Sequence, residues 1–207
     1  MLRILGRTSS INVRKVLWTC DELGLAYTRE DWGAGFASTQ SPEFLALNPN
    51  GLVPVIIDEL GPLWESTTIC RYLVGRHAPG GLLPAGPRAR ALVEQWMDWE
   101  ATDLADARRY AFLALARKAP GHDDPMRIAI STQGWNDRMA VLDGHLAAGG
   151  PWAAGAAFSL ADICLGLAVH RWRATPIAHA ELPAVAAYEH RLHARPAFAP
   201  WARPDVP

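Results

Sequence analysis

The spacing of apolar residues along the chain changes character once. Up to about residue 78 short alternating runs are interleaved with stretches of helical period, and beyond residue 87 the helical period dominates. Leu2-Arg3-Ile4-Leu5 reads as a short buried strand, and Gly6 to Asn12 as a polar loop holding Thr8, Ser9 and Ser10. Val13, Val16, Leu17 and Leu23 then recur at helical spacing, with Asn12 as the predicted N-cap and Gly24 as the stop. Leu25 to Glu30 predicts a second strand, parallel to the first if the crossover is right-handed. Ser41-Pro42-Glu43-Phe44-Leu45 predicts a single capped turn of helix with proline at its first position, and Asn48-Pro49-Asn50-Gly51 a turn. Val53-Pro54-Val55-Ile56-Ile57 predicts a strand with its proline at the start or edge, and Asp58 to Gly61 reverses the chain into Pro62-Leu63-Trp64 as a hairpin. Ser66 is the predicted cap of a helix whose Ile69, Tyr72 and Leu73 share a face, ending near His77.

Between Ala78 and Pro87 lie three prolines and three glycines, which neither a helix nor a strand survives. Beyond it a long helix is predicted from around Leu92, Trp96, Trp99 and Glu100 to about Lys118, stopped by Pro120-Gly121. A second is predicted over Pro125 to Ala148 with Ile128, Trp135, Met139 and Leu142 towards the core. Ser159-Leu160-Ala161-Asp162 reads as a capping box in acidic form, opening a nearly all-apolar helix that belongs at the centre of a bundle. Leu182 to Arg195 predicts one more helix, halted at Pro196. The order β-α-β then β-β-α is that of a thioredoxin-like domain. The expected architecture is an α/β thioredoxin-like N-terminal domain (1–78), a linker (79–87) and an all-α C-terminal helical bundle domain (88–207).

Composition narrows the function classes. With 207 residues, 50% hydrophobic and 20% charged, the chain can bury a core and is not disordered. Twenty basic residues against 21 acidic ones leave a net charge of −1, so a nucleic-acid partner has no electrostatic basis. Cys20, Cys70 and Cys164, odd in number and far apart, fit reduced thiols and a cytoplasmic location. Met1 to Arg7 has no apolar core of a secretion signal, and the uncharged run His145 to Ala161 is broken by Gly149, Gly150, Pro151 and Gly155, so no membrane association is expected. No Walker loop occurs, and Gly33-Ala34-Gly35 has Ser38 where a dinucleotide loop needs its third glycine. His190 and His193 lack further ligands nearby and read as a solvated helix face, so no metal is expected.

The loop after the first strand is the place for chemistry. It ends at a helix N-terminus, where unpaired N–H groups and the helix dipole favour an anion such as a thiolate. A redox protein would carry cysteine there, commonly Cys-x-x-Cys, but this loop reads Thr8-Ser9-Ser10-Ile11-Asn12. Dithiol exchange by the protein itself is excluded. Hydroxyls at a positive helix end suit the thiolate of another molecule; they also suit plain capping of the helix.

Four segments in order resemble the cytosolic glutathione S-transferases of serine type, theta- or zeta-like as in bacteria, over the whole chain. They are Ser10-Ile11-Asn12-Val13-Arg14-Lys15-Val16, Asn48-Pro49-Asn50-Gly51-Leu52-Val53-Pro54, Leu63-Trp64-Glu65-Ser66 and Phe158-Ser159-Leu160-Ala161-Asp162. The resemblance implies a transferase that holds glutathione as co-substrate, without a metal, and turns its thiol into a thiolate for attack on a small hydrophobic electrophile. Isomerase, dehalogenase and peroxidase chemistry use the same thiolate. It implies Ser10 as the donor to the sulfur, with Ser9 or Asn12 acting instead or as well. It implies Val53 and a cis Pro54 facing the cysteinyl part of glutathione, and Glu65 and Ser66 taking its γ-glutamyl end. Where many serine-type relatives have a lysine before the Val-Pro pair this chain has Leu52, so one carboxylate contact is missing, to be replaced from Asp31 to Gln40 or not at all. Tyr110, Phe112 and Trp172 are candidates for a second-substrate wall, against the plainer reading of aromatic core packing. The resemblance further implies detoxification in the cytoplasm by a homodimer. The alternative is a non-catalytic member of the same fold that binds glutathione, another ligand or a protein, and Leu52 is the feature that favours it.

Overall fold

A computed structural model describes residues 1–203, which fall into two compact units dividing between Ala85 and Gly86. The first unit runs β1 (Leu2–Leu5), α1 (Ile11–Glu22), β2 (Tyr27–Glu30), α2 (Pro42–Leu45), β3 (Val55–Asp58), β4 (Gly61–Trp64) and α3 (Ser66–His77). Its four strands stand in the order β2-β1-β3-β4, with β1 and β2 parallel and the other neighbours antiparallel. This is the mixed sheet of a thioredoxin-like domain, as the element order predicts. Ile4, Leu5, Val55 and Ile56 of the sheet are buried, as are Val13, Val16, Leu17 and Trp18 of α1 and Ile69, Cys70, Leu73 and Val74 of α3. α1 packs against α3, and the Thr19 hydroxyl reaches Cys70 Sγ at 3.2 Å.

Several boundaries move from their predicted places. α1 begins at Ile11, with Ser10 as N-cap in extended backbone, because Ile11 is drawn into the core and is 4% exposed. Asn12 is therefore inside the first turn and not the cap. α1 stops as expected at Gly24, whose φ of +64° lets the Leu25 N–H bond back to the Cys20 carbonyl at 2.9 Å. β3 begins at Val55, after the proline that has no N–H for the ladder. α3 has Glu65 as N-cap, so Ser66 is its first residue and not its cap. Tyr72 is half-buried and turns its hydroxyl to the Asp58 carboxylate.

The second unit is helical: α4 (Pro87–Trp99), α5 (Ala105–Ala111), α6 (Pro125–Ala148), α7 (Leu160–Ala174) and α8 (Pro183–His193). The single long helix predicted to Lys118 is instead a helical run from Pro87 to Ala116 with two π-type turns, Glu100–Leu104 and Phe112–Ala116. In α6 Trp135, Met139 and Leu142 are buried, whereas Ile128 is only half-buried. α7 is buried at every residue from Leu160 to Trp172 and packs on α4 and α8, the central helix its composition predicts. Its start is held by Asp162, which accepts from the Ser159 N–H at 2.8 Å, the Ser159 hydroxyl at 3.0 Å, the Ala153 N–H at 2.8 Å and the Tyr188 hydroxyl at 3.0 Å. Burial raises the Asp162 pKa above the ordinary carboxylate value, against the pull of these hydrogen bonds.

Candidate functional site

Sheet register brings the candidate residues of the first unit to one end of the sheet. Leu5 pairs with Val55 and Val55 with Trp64, so a single row crosses β1, β3 and β4. One step beyond that row lie Gly6 after β1, Pro54 before β3 and Glu65 after β4. Residues separated by almost sixty positions in sequence become neighbours because β1 and β4 run towards this end while β3 runs from it.

Gly6 is the hinge of the arrangement. Its φ is +150°, and a Cβ there would stand 2.4 Å from Val13 Cγ2 and 3.1 Å from Val53 Cβ. The end of β1, the first turn of α1 and the Val53-Pro54 segment thus close on one backbone atom group. From Gly6 the loop is tied to the continuation of β2 by the Gly6 N–H to the Glu30 carbonyl at 2.8 Å and the Arg7 N–H to the Trp32 carbonyl at 3.2 Å. The Ser10 N–H returns to the Arg7 carbonyl at 3.1 Å, and the Ser10 carbonyl accepts the Arg14 N–H at 3.0 Å as α1 begins. Ser10 caps α1 through its backbone only: its side chain makes no capping hydrogen bond. Ser9 and Ser10 are half-buried, Asn12 is exposed, and Ser9 accepts from Arg7 Nη1 at 3.4 Å.

The Val53–Pro54 peptide is cis, the isomer that the resemblance implies. Pro54 is buried and Val53 half-buried, while Leu52 is 64% exposed and its carbonyl accepts from Asn48 Nδ2 at 2.8 Å. Glu65 has a φ of +72°, a left-handed conformation that costs a non-glycine residue about 1–3 kcal/mol and is typical of functional positions. It turns the chain from β4 into α3, its carbonyl accepting the Ile69 N–H at 2.8 Å. The exposed Glu65 carboxylate and the buried Ser66 hydroxyl, 5% exposed, then stand at a helix start whose first N–H groups face outward for an anion.

The chain's own thiols cannot supply the nucleophile at this end. Burial pushes the Cys70 thiol up to about 11 and raises Cys20 further, and all three cysteines are free and buried. A thiolate in this loop has to arrive with a ligand. Among the described residues no group of three or more His, Cys, Asp or Glu is placed to hold a metal ion.

The aromatic candidates of the second unit divide. Trp172 is fully buried and its indole N–H donates to Asn136 Oδ1 at 2.9 Å; Phe112 is 6% exposed beneath the Arg171 guanidinium, 4.1 Å from its ring centre. Both are interior residues of the helical unit, which corrects the expectation of a wall. Tyr110 keeps an accessible ring, under Arg127 at 4.2 Å, and lines an open groove of about 440 Å³ with Ile130, Ser131 and Arg138. Two residues escaped the sequence reading altogether. Gly6 was passed over as part of a polar loop, though a glycine directly after a strand is a signal of close backbone approach. Arg7 carried no sequence signal, since only the fold turns it onto Ser9.

The family model described as Glutathione S-transferase, N-terminal domain matches residues 9–85. Glutathione S-transferase GstB of Escherichia coli (strain K12) is 34% identical over 199 residues, covering 95% of each chain. Glutathione S-transferase 3 of Zea mays is 31% identical over 204 residues, covering 95% of this chain and 91% of its own. Among solved structures, the theta class glutathione S-transferase of Xanthomonas axonopodis pv. citri with glutathione bound superposes with a TM-score of 0.91 at 39% identity, covering 97% of this chain and 96% of that one.

Proposed function

The chain belongs to the glutathione S-transferase family, a family of transferases, and we propose that it holds glutathione along the sheet end formed by Ser9, Ser10, Val53, Pro54, Glu65 and Ser66 and activates its thiol. In this reading the Glu65 carboxylate takes the α-ammonium of the γ-glutamyl group, and the Ser66 hydroxyl and the N–H groups opening α3 take its carboxylate. The Val53 backbone pairs with the cysteinyl part, and the sulfur comes to rest before the first turn of α1. The observation that carries the reading is Ser10: it stands at the α1 N-terminus with its hydroxyl unspent on capping, one step from the residues that would hold the rest of the tripeptide. A hydrogen bond to a charged sulfur is worth about 1.5–3 kcal/mol, which lowers a thiol pKa by about 1–2 units, from about 8.5 towards neutrality. The thiol proton leaves to solvent; the thiolate electron pair forms the C–S bond to a small apolar electrophile, whose leaving group departs with its own bonding pair.

The glutathione-bound Xanthomonas relative, similar over nearly the full length, supports the ligand. The buried free cysteines fit a reducing, cytoplasmic setting and a detoxification role, and the family supports a homodimer, which light scattering checks. The test of the central reading is ultraviolet titration of the thiolate in the complex, with isothermal calorimetry of glutathione binding. Ser10→Ala is expected to keep binding within a few-fold and raise the bound thiol pKa by about 1–2 units. A bound thiol with its solution pKa in the unaltered protein refutes thiolate activation, and an unmoved pKa in Ser10→Ala passes the role to Ser9 or Asn12. One observation favours the non-catalytic reading, the 64% exposed Leu52 in place of a lysine. Tight glutathione binding with no turnover over a broad panel of electrophiles would establish it.

A further inference from the structure

Arg7 brings a positive charge into the loop that ends at Ser10. Its backbone is pinned on both sides, by its N–H to Trp32 and its carbonyl to Ser10. Its side chain lies over Gly33, with Nε 3.7 Å from where a Cβ at that glycine would stand and Thr39 beside it. From there Nη1 reaches the Ser9 hydroxyl at 3.4 Å. The carboxylates that follow β2 are engaged elsewhere, Glu30 with Arg3 at 2.8 Å and Asp31 with Arg29. Among the described residues Arg7 forms no ion pair, so its half-buried charge is left facing the loop.

A serine hydroxyl has one hydrogen to give and two lone pairs to receive. When Ser9 accepts from a guanidinium, its oxygen is polarised by a full charge and its hydrogen is left to point away, towards an anion. We propose that Arg7 is a positioning residue that acts through Ser9 to stabilise the glutathione thiolate, making the Arg7–Ser9 pair a second donor beside Ser10. The inference rests on the thiolate reading given above. It also gives the side chains of the loop separate tasks: Ser10 donates from the helix start, and Ser9 carries the charge of Arg7 to the same anion.

The test uses the full chain and three variants, Arg7→Met, Arg7→Lys and Ser9→Ala, with the double variant Arg7→Met/Ser9→Ala, each checked for unchanged circular dichroism. Thiolate titration of bound glutathione and the pH profile of kcat/KM are read together. Arg7→Met is expected to raise the apparent thiol pKa by about one unit, a ten-fold loss of kcat/KM near pH 6.5 that shrinks to within two-fold near pH 9.5. Arg7→Lys is expected to recover most of that loss. Ser9→Ala and the double variant are expected to match Arg7→Met, because a pair acting as one unit is not additive. Arg7→Met weakening glutathione binding with an unmoved thiol pKa would make Arg7 a carboxylate ligand in place of the lysine absent at Leu52, and would overturn the proposal. So would losses from Arg7→Met and Ser9→Ala that simply multiply, or no change in either variant. A parent protein that binds no glutathione, or leaves its thiol pKa at the solution value, is the separate failure of the thiolate reading.

Discussion

Gly6 cannot be anything larger without moving two other residues. A methyl group would meet Val13 Cγ2 at 2.4 Å and Val53 Cβ at 3.1 Å, in a backbone conformation of φ +150° that side chains rarely adopt. Gly6→Ala is expected to destabilise by about 1–3 kcal/mol and to weaken glutathione binding by displacing Val53, with Val13→Ala restoring part of the stability. Urea midpoints and calorimetry of the single and double variants check this. At the other end of the same sheet, the Tyr72 hydroxyl bonds to Asp58 and holds its carboxyl below the usual value of 3.8, while Asp58 pushes the Tyr72 phenol up to about 12. Because the folded pKa of Asp58 is depressed, this contribution is present above about pH 4 and is lost as pH falls through the lower, folded value. Tyr72→Phe is expected to cost about 0.5–1 kcal/mol at pH 7, the partial exposure of the pair keeping the figure small, and the difference from the parent should vanish below about pH 3. Neither pair of residues is legible from sequence spacing, since 6 meets 53 and 58 meets 72 only across the sheet and onto α3.

Helices and strands were legible where one local signal dominated. α2 opens at Ser41 with Pro42 first, α1 ends at Gly24, and α7 opens at Ser159 with Asp162 three residues on, each as the residue types require. Boundaries failed where tertiary burial competed with capping. Ile11 is pulled into the core and moves the start of α1 ahead of Asn12; the chain must turn out of β4 at Glu65, which takes the cap from Ser66. The π-type turns at Glu100 and Phe112 have no counterpart in the apolar spacing, because one extra residue per turn leaves the pattern nearly helical. The start of α7 gives the sharpest expectation at this scale. Asp162→Ala leaves the Ser159 N–H, the Ala153 N–H and the Tyr188 hydroxyl inside without an acceptor, at about 1–3 kcal/mol for each buried group left unsatisfied. A loss of at least 3 kcal/mol is expected in denaturant unfolding, with Asp162→Asn less damaging because it keeps one acceptor oxygen.

For the whole protein, a ligand that binds only the folded state must stabilise it. Glutathione at a hundred times its Kd is expected to add about 2.7 kcal/mol, raising the melting temperature by about 5–10 °C, with no rise in the presence of an equal concentration of the free amino acids. The chain alone determined that an α/β unit is followed by a helical one, that no reactive cysteine stands in the first loop, and which segments carry the family's pattern. Those are properties of residue types at short range: proline and glycine break elements, apolar period selects helix or strand, and a loop either has a cysteine or lacks one. The fold alone decided that Ser10, Pro54 and Glu65 share one end of the sheet, that Phe112 and Trp172 belong to the interior, that Gly6 is the pivot and that Arg7 reaches Ser9. Each of those depends on strand register and burial, which bring together residues far apart in the chain and so leave no trace in any short stretch of it.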